Sequence, residues 1–321
     1  MIRRRSVDGR DTVPESSVDA ARRRILLGMS AGGAAWVLGS GARAAPGTLL
    51  MRAIPSSNET LPAVGLGTWA AFDVEAKGAE FEQAREALAR FKELGGRVVD
   101  TSPMYGRAEA ALGTAGAAVD PDAKLFFATK IWTRGKAEGQ AQWAESLRRM
   151  GRKRIELGQV HNLLDLDVQL ANLRAARERG EVRYVGVTHY TASAHEELAR
   201  TLEREKLDFL QVNYSIAEPE AAQRLLGVAR ERGVAVLINR PFQEGEMIGR
   251  VKGRALPPVA TALGCTSAAQ LFLKWIVAEP AVTCVLCGTR KPQHVADNLA
   301  AAQGRLPDAA ERRAIEDWYR A

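Results

Sequence analysis

Arg97-Val-Val-Asp100 is a short apolar run that closes on a carboxylate, and runs of the same kind recur along the chain. Lys124-Leu-Phe-Phe-Ala-Thr-Lys130, Ile155–His161, Val182–Thr188, Phe209–Tyr214, Val234–Asn239 and Val282–Leu286 have the length and composition of buried strands. Between them, Glu80–Leu94, Ala141–Met150, Leu166–Arg179, Ala192–Glu203 and Glu218–Arg232 place Leu or Val at helical spacing, with Arg, Glu and Ala on the other side. With Ala63–Leu66 as the first strand, eight strands alternate with helices, the order of a parallel sheet closed into a (β/α)₈ TIM barrel. Ahead of it, Leu49–Ile54 and Leu61–Val64 flank Pro55-Ser-Ser-Asn-Glu-Thr60 and predict a short N-terminal β-hairpin. The competing fold is an open doubly wound sheet. It calls for a glycine fingerprint that opens a helix, and no helix start follows Gly65-Leu-Gly67.

The 321 residues are 46% hydrophobic and 26% charged, the balance of a globular protein with a sizeable core, which excludes disordered and collagen-like chains. A net charge of +7 invites a nucleic-acid reading until it is divided along the chain. Residues 1–44 hold eight arginines and four acidic residues, so four of the excess charges belong to them and three to the remaining 277 residues. Basic residues there are mixed with Glu, as in Leu202-Glu-Arg-Glu-Lys206, a solvated face rather than a phosphate track, so no nucleic-acid partner is expected. Cys284 and Cys287 have C-x-x-C spacing but lie in an apparent strand, where side chains three apart face opposite ways. With Cys265 they read as buried free thiols. Four histidines, His161, His189, His195 and His294, include no H-x-H pair, so no metal centre is expected.

Arg22-Arg-Arg-Ile-Leu-Leu27 resembles a twin-arginine export motif. Eighteen uncharged residues follow, Ile25 to Ala42, diluted by Gly and Ser, and Ala42-Arg-Ala44 has the small-x-small pattern of a cleavage site. Residues 1–44 are therefore expected to be a signal peptide and 45–321 a single barrel domain. This implies passage through the twin-arginine machinery, a periplasmic or otherwise exported product, and no membrane anchor after cleavage. An arginine-rich tail on a cytoplasmic enzyme and an uncleaved anchor are the alternatives.

Four polar residues fall at strand ends or just beyond them. Asp100, Lys130 and His161 close three successive strands, and Tyr105 lies five residues after the first of these. In a (β/α)₈ barrel those points share the face that carries active sites. Singly, each has a structural reading: a helix cap, a loop aromatic, a surface charge, a core histidine. Their shared placement favours a site.

Val98-Val-Asp-Thr-Ser-Pro-Met-Tyr-Gly106, Ala128-Thr-Lys-Ile-Trp132 and Gln159-Val-His161 resemble the D-x₄-Y motif, strand-end lysine and strand-end histidine of the aldo-keto reductase family. The likeness runs from about Ala53 to the end and includes Gly65-Leu-Gly-Thr-Trp69, Gly186-Val-Thr-His-Tyr190, Gln211-Val-Asn-Tyr214 and Gly288-Thr-Arg-Lys-Pro-Gln-His-Val-Ala-Asp-Asn298. It implies reversible reduction of an aldehyde or ketone to an alcohol with a nicotinamide cofactor. A phenol titrates near 10, so a tyrosine acid needs help from a nearby ammonium, and a carboxylate beside the lysine keeps that ammonium charged. In the resemblance Tyr105 is the proton donor, Lys130 and Asp100 assist it, and neutral His161 orients the carbonyl. Trp69, Trp132 and Asn162 fall on the substrate side, although either tryptophan reads equally well as packing at the barrel mouth. A non-catalytic nicotinamide-binding redox sensor on the same barrel is the rival function.

The resemblance also assigns cofactor positions. Thr188, His189 and Gln211 fall where the carboxamide is held, with Gly67 and Thr68 nearby, but the family most often has Ser-Asn at the first two. Its stacking aromatic is replaced by Asn239, followed by Arg240, which can reach for the pyrophosphate; Tyr214 and Phe242 remain as sources of a ring. After the last strand, Gly288 and His294 stand where Lys and Arg are usual, while Arg290 and Lys291 keep the charge nearby. Thr289 adds a neutral donor, and Asp297 and Asn298 match the adenine positions. Positive charge kept but displaced gives an expectation of NADP(H) over NAD(H).

Overall fold

The computed structural model describes residues 47–321. The signal expected over residues 1–44, and the boundary after it, lie outside the described residues.

Eight parallel strands close a barrel: β3 (Val64–Gly67), β4 (Val98–Asp100), β5 (Phe126–Ile131), β6 (Ile155–His161), β7 (Val182–Thr188), β8 (Phe209–Asn213), β9 (Ala235–Asn239) and β10 (Val282–Gly288), with β10 pairing back onto β3. Helices return the chain between strands: α1 (Ala79–Glu93), α2 (Ala108–Val119), α3 (Lys136–Arg149), α4 (Leu166–Glu178), α5 (His195–Arg204) and α6 (Leu225–Glu231). The short α7 (Glu246–Arg250) and α8 (Pro258–Ala262) precede α9 (Ala268–Val277), and α10 (Pro292–Ala300) and α11 (Ala309–Arg320) complete the chain.

The two-residue period of a strand divides the core. Val98, Phe126, Ala128, Leu157, Tyr184, Phe209, Leu237, Cys284 and Leu286 point into the barrel and pack on one another. Their neighbours Val99, Phe127, Val160, Val185, Leu210, Val236 and Val285 point outward under the helices. Space inside is short: a Cβ on Gly65 would stand 2.9 Å from Leu286 and 3.1 Å from the Val98 carbonyl. The expected hairpin forms from β1 (Met51–Ala53) and β2 (Thr60–Pro62), and its Ile54 and Leu61 join the interior cluster. Glu59 in its turn accepts from Arg97, Arg183 and the Tyr184 hydroxyl, fastening the hairpin to the barrel.

Two helices differ from the sequence reading. The third begins at Lys136 rather than Ala141, because Gly135 adopts a positive φ of 88° that lets the chain turn directly into the helix. The stretch expected as Glu218–Arg232 breaks into a 3-10 turn, Glu220–Gln223, and α6. Arg224 between them leaves the helical conformation, with φ −143° and ψ −52°, and its guanidinium reaches Glu196 and Glu203 on α5.

Cys284 and Cys287 do face opposite sides of β10, one inside the barrel and one beneath the helices, and all three cysteines are free and buried. Burial pushes the Cys265 thiol up to about 11 and the other two higher still. Thiolate being the reactive form, the folded protein should leave all three unlabelled by a maleimide and react fully once denatured. Rapid labelling of the folded protein would contradict this packing.

Candidate active site

Along the inward-facing series the chemistry changes near the C-terminal strand ends. Phe126 and Ala128 are followed by Lys130, Leu157 by Gln159 and His161, and Phe209 by Gln211, all buried. Lys130 is wholly shielded from solvent; its Nζ donates to Asp100 Oδ2 and to the Thr101 carbonyl, each at 2.7 Å. Asp100 Oδ1 accepts from Gln211 Nε2 at 2.9 Å and from Gln159 Nε2 at 3.3 Å, and the Thr188 hydroxyl donates to Gln211 Oε1 at 2.9 Å. Thr68 donates its backbone N–H and its hydroxyl to the Asp100 carbonyl, both at 3.0 Å, and Gly67 pairs with Asp100 across β3 and β4. Four expected residues, Asp100, Lys130, Thr188 and Gln211, thus belong to one buried network. Within it Gln211 faces Asp100, and Thr188 faces Gln211.

Tyr105 sits in the loop after β4, with the Lys130 ammonium 4.9 Å from its ring centroid. Burial raises its pKa, the Lys130 charge opposes that, and Asp100 adds to the rise. The net is upward, not the reduction expected from a lysine alone, because burial, with the Asp100 carboxylate adding to it, outweighs the ammonium. Lys130 runs the other way: burial lowers it, but the charges of Asp100 and Tyr105 carry it net above its usual value. His161 packs edge-on to Tyr105 at 6.3 Å, with Nδ1 3.4 Å from Ser102 Oγ. Burial, then the Lys130 charge and His189, lower its pKa to about 3, which leaves a neutral imidazole.

Trp69, Met104, Trp132 and Tyr190, from the loops after β3, β4, β5 and β7, are exposed, and Trp132 approaches His161 at 6.4 Å. Asn162 takes a left-handed φ of 54°, and its Oδ1 is buried without a partner. His189 Nδ1 accepts from the Tyr190 and Thr191 N–H groups at 3.0 and 3.3 Å, so the ring proton resides on Nε2. Asn239 Nδ2 donates to the His189 carbonyl at 3.1 Å, and its Oδ1 is buried without a partner. Arg240, left-handed at φ 52°, is held by Glu244 and Gln243, lies 5.9 Å from the Tyr190 ring, and has a buried Nε with no partner.

Neither expected ring source lies free at the mouth. Tyr214 is buried against Trp275 at 5.0 Å and accepts from Arg312, and Phe242 packs on the outer core. Tyr190, stacked on His189 at 5.6 Å, is the exposed ring beside these positions.

After β10, Arg290 is bound by Glu80 and Gln83 of α1, while Lys291 and His294 are exposed. Thr289 Oγ1 accepts from the Lys291 N–H at 3.1 Å. Both Asp297 oxygens are engaged at the start of α9, by Ser267 at 2.7 Å and Gln270 at 2.6 Å, and Asn298 is buried beside Thr289.

The sequence reading missed Gln159, Ser102 and Tyr190. Gln159 had a signal, since two residues before His161 on a strand means the same face.

Residues 63–316 match the Aldo/keto reductase family. The chain belongs to that family. It is 30% identical over 257 residues to an aldo-keto reductase of Mycobacterium avium, an alignment covering 77% of this chain and 86% of the relative. It is 23% identical over 317 residues to an NADH-specific methylglyoxal reductase of Escherichia coli, covering 81% and 96%. The fold matches that of an aldo-keto reductase from Klebsiella pneumoniae in complex with NADPH, with a TM-score of 0.70 at 24% identity, covering 85% of this chain and 95% of that one. This aldo/keto reductase is accordingly an oxidoreductase of a family whose general chemistry is nicotinamide-dependent carbonyl reduction.

The neutral His161 gives a stability test. Its folded pKa of about 3 lies below the roughly 6.5 of an unfolded histidine, so between those values the unfolded chain binds a proton that the folded protein refuses. Stability should therefore fall as pH drops through that window, by up to about 1.4 kcal/mol per unit from this group. Denaturant melts at neutral pH and within the window should show a smaller loss for His161→Gln than for the parent; an equal loss would contradict the assignment.

Proposed function

We propose that this aldo/keto reductase reduces a small aldehyde or ketone to the alcohol, reversibly, with Tyr105 as proton donor. The observation that carries the reading is the solvent-free Lys130 ammonium, clamped by Asp100 and facing the Tyr105 ring. The mouth fits a nicotinamide dinucleotide in kind: Asn162 Oδ1, Asn239 Oδ1 and Arg240 Nε are buried polar atoms without partners, suited to a ligand carrying both an amide and anionic groups. Thr188, His189, Gln211 and Asn239 would hold its nicotinamide end, Arg240 its pyrophosphate, and Thr289 to Asn298 its adenosine end, with Gly67 and Thr68 lining the floor.

When bound, the reduced cofactor supplies a hydride to the carbonyl carbon. As the carbonyl π pair moves to oxygen, the Tyr105 O–H bond breaks and the alcohol O–H bond forms. Lys130 stabilises the phenolate left behind until solvent returns the proton. The raised pKa of Tyr105 keeps its phenol protonated, and therefore able to donate, at neutral pH. His161, an uncharged hydrogen-bonding group, orients the carbonyl oxygen. Trp69, Met104 and Trp132 offer apolar walls, and the methylglyoxal-reducing relative is consistent with a small carbonyl substrate. Arg290 and Lys291 favour NADP(H), although the relatives include proteins named for either nicotinamide.

Tyr105→Phe should reduce turnover by at least about 100-fold and leave cofactor affinity nearly unchanged, with Lys130→Met behaving alike. Near-normal turnover of Tyr105→Phe on a simple aldehyde would overturn the assignment. Cofactor binding without turnover in the parent protein would favour the sensor reading instead.

We also propose that residues 1–44 are a twin-arginine signal and that the mature protein is the barrel domain, residues 45–321, exported already folded. Replacing Arg22 and Arg23 with Lys should leave an uncleaved precursor in the cytoplasm, while the parent should yield a periplasmic product beginning at or near Ala45. Intact mass measurement decides: a periplasmic protein retaining Met1 would refute cleavage, and normal export of the Lys variant would refute the route.

A further inference from the structure

Helix α1 carries Glu80 in its first turn and Gln83 one turn further on. Both meet the segment after β10. Arg290 Nη2 pairs with Glu80 Oε1, and Arg290 Nε donates to Gln83 Oε1 at 3.3 Å. Two side chains of one helix thus hold a guanidinium 210 residues away. The neighbouring Lys291 is exposed and enters no ion pair among the described residues.

Glu80 therefore acts on any anion that approaches Arg290, and in one direction. Its carboxylate already occupies one Nη of the guanidinium, so a 2′-phosphate must share Arg290 with it or displace it. It also places a negative charge beside a group bringing about two more, at a separation over which salt screens only partly. A ribose 2′-hydroxyl meets the opposite situation, because it is a donor and a carboxylate accepts from it, the arrangement by which acidic residues select the unphosphorylated dinucleotide on other folds.

We infer that Glu80 is a specificity-determining residue that narrows the margin of NADP(H) over NAD(H), by holding Arg290 and by opposing a 2′-phosphate at its site. Gln83 keeps the guanidinium at that position when the carboxylate is replaced. The inference rests on the reading of the segment after β10 as the adenosine end of the cofactor site. Glu80 itself does not touch the reacting atoms.

The test is equilibrium binding by the purified protein, followed by fluorescence titration with NADPH and NADH and by calorimetry with 2′,5′-ADP and 5′-AMP. Glu80→Gln should tighten NADPH and 2′,5′-ADP by about two- to fivefold, the scale of an exposed ion pair. NADH and 5′-AMP should be unchanged or slightly weaker, and the gain should shrink as salt is raised. Glu80→Lys should extend the series in the same order. Parallel changes for phosphorylated and unphosphorylated ligands, or none for either, would overturn the role of Glu80 while leaving the nicotinamide reading intact. A parent protein that binds neither dinucleotide would overturn both.

Discussion

Lys130 carries a positive charge into the barrel interior at a point where no water reaches it, and the surrounding architecture is what makes that tolerable. An ammonium moved out of water loses several kcal/mol of solvation, recovered only when its partners are close and themselves satisfied. Asp100 Oδ2 and the Thr101 carbonyl take two of its protons, and Asp100 Oδ1 is in turn supplied by Gln211 and Gln159. The network needs side chains from β4, β5, β6, β7 and β8 at matching heights. Only a closed sheet in register delivers them, with Lys130 opposite Gln159 and Thr188 opposite Gln211. Beneath it lies an apolar cluster that runs down to the hairpin residues Ile54 and Leu61. The boundary between the two layers marks where the barrel stops being scaffold and becomes site.

The same pair sets the protonation states around it. A bare buried lysine would lose its proton; the Asp100 carboxylate prevents that, so the charge persists and adds to burial in keeping a proton off His161. Burial and the Asp100 carboxylate together outweigh the ammonium at Tyr105, which keeps its proton. Burial, with this ion pair inside it, leaves a neutral imidazole and a protonated phenol at neutral pH. That separation of titrating groups is what the proposed proton transfer from Tyr105 requires.

Much of this could be read from the chain. Eight strands were visible because each is an apolar run bounded by helical periodicity, and Asp100, Lys130 and His161 stood out because strands seldom end on such residues. Gln159 escaped notice, since a glutamine in a strand announces no chemistry until the carboxylate it serves is known. The start at Lys136 depends on Gly135, whose N–H is held by Asp165 from the next loop, 30 residues away. Arg290 looked uncommitted because Glu80 lies at the opposite end of the barrel sequence. Tyr214 seemed available as a ring because the strand period alone does not say that the chain, once past Asn213, turns it out beneath Trp275. Local pattern reports which face a residue takes, and long-range pairing decides what it meets there.

The charged contacts separate into two kinds by their exposure. Lys130 and Asp100, with side chains at 0% and 6% exposure, are fixed: breaking either leaves a buried charge without a partner. Arg240 with Glu244 and Arg290 with Glu80 are partly open to water, at 29% and 48%, and 32% and 66%. Pairs of that exposure are worth at most about 1 kcal/mol, so an arriving anion can replace the carboxylate at little cost. Each carboxylate keeps its arginine extended and oriented without sealing it away. A permanent pair at the floor and exchangeable pairs at the rim follow from one rule: an ion pair becomes harder to exchange as solvent is excluded from it.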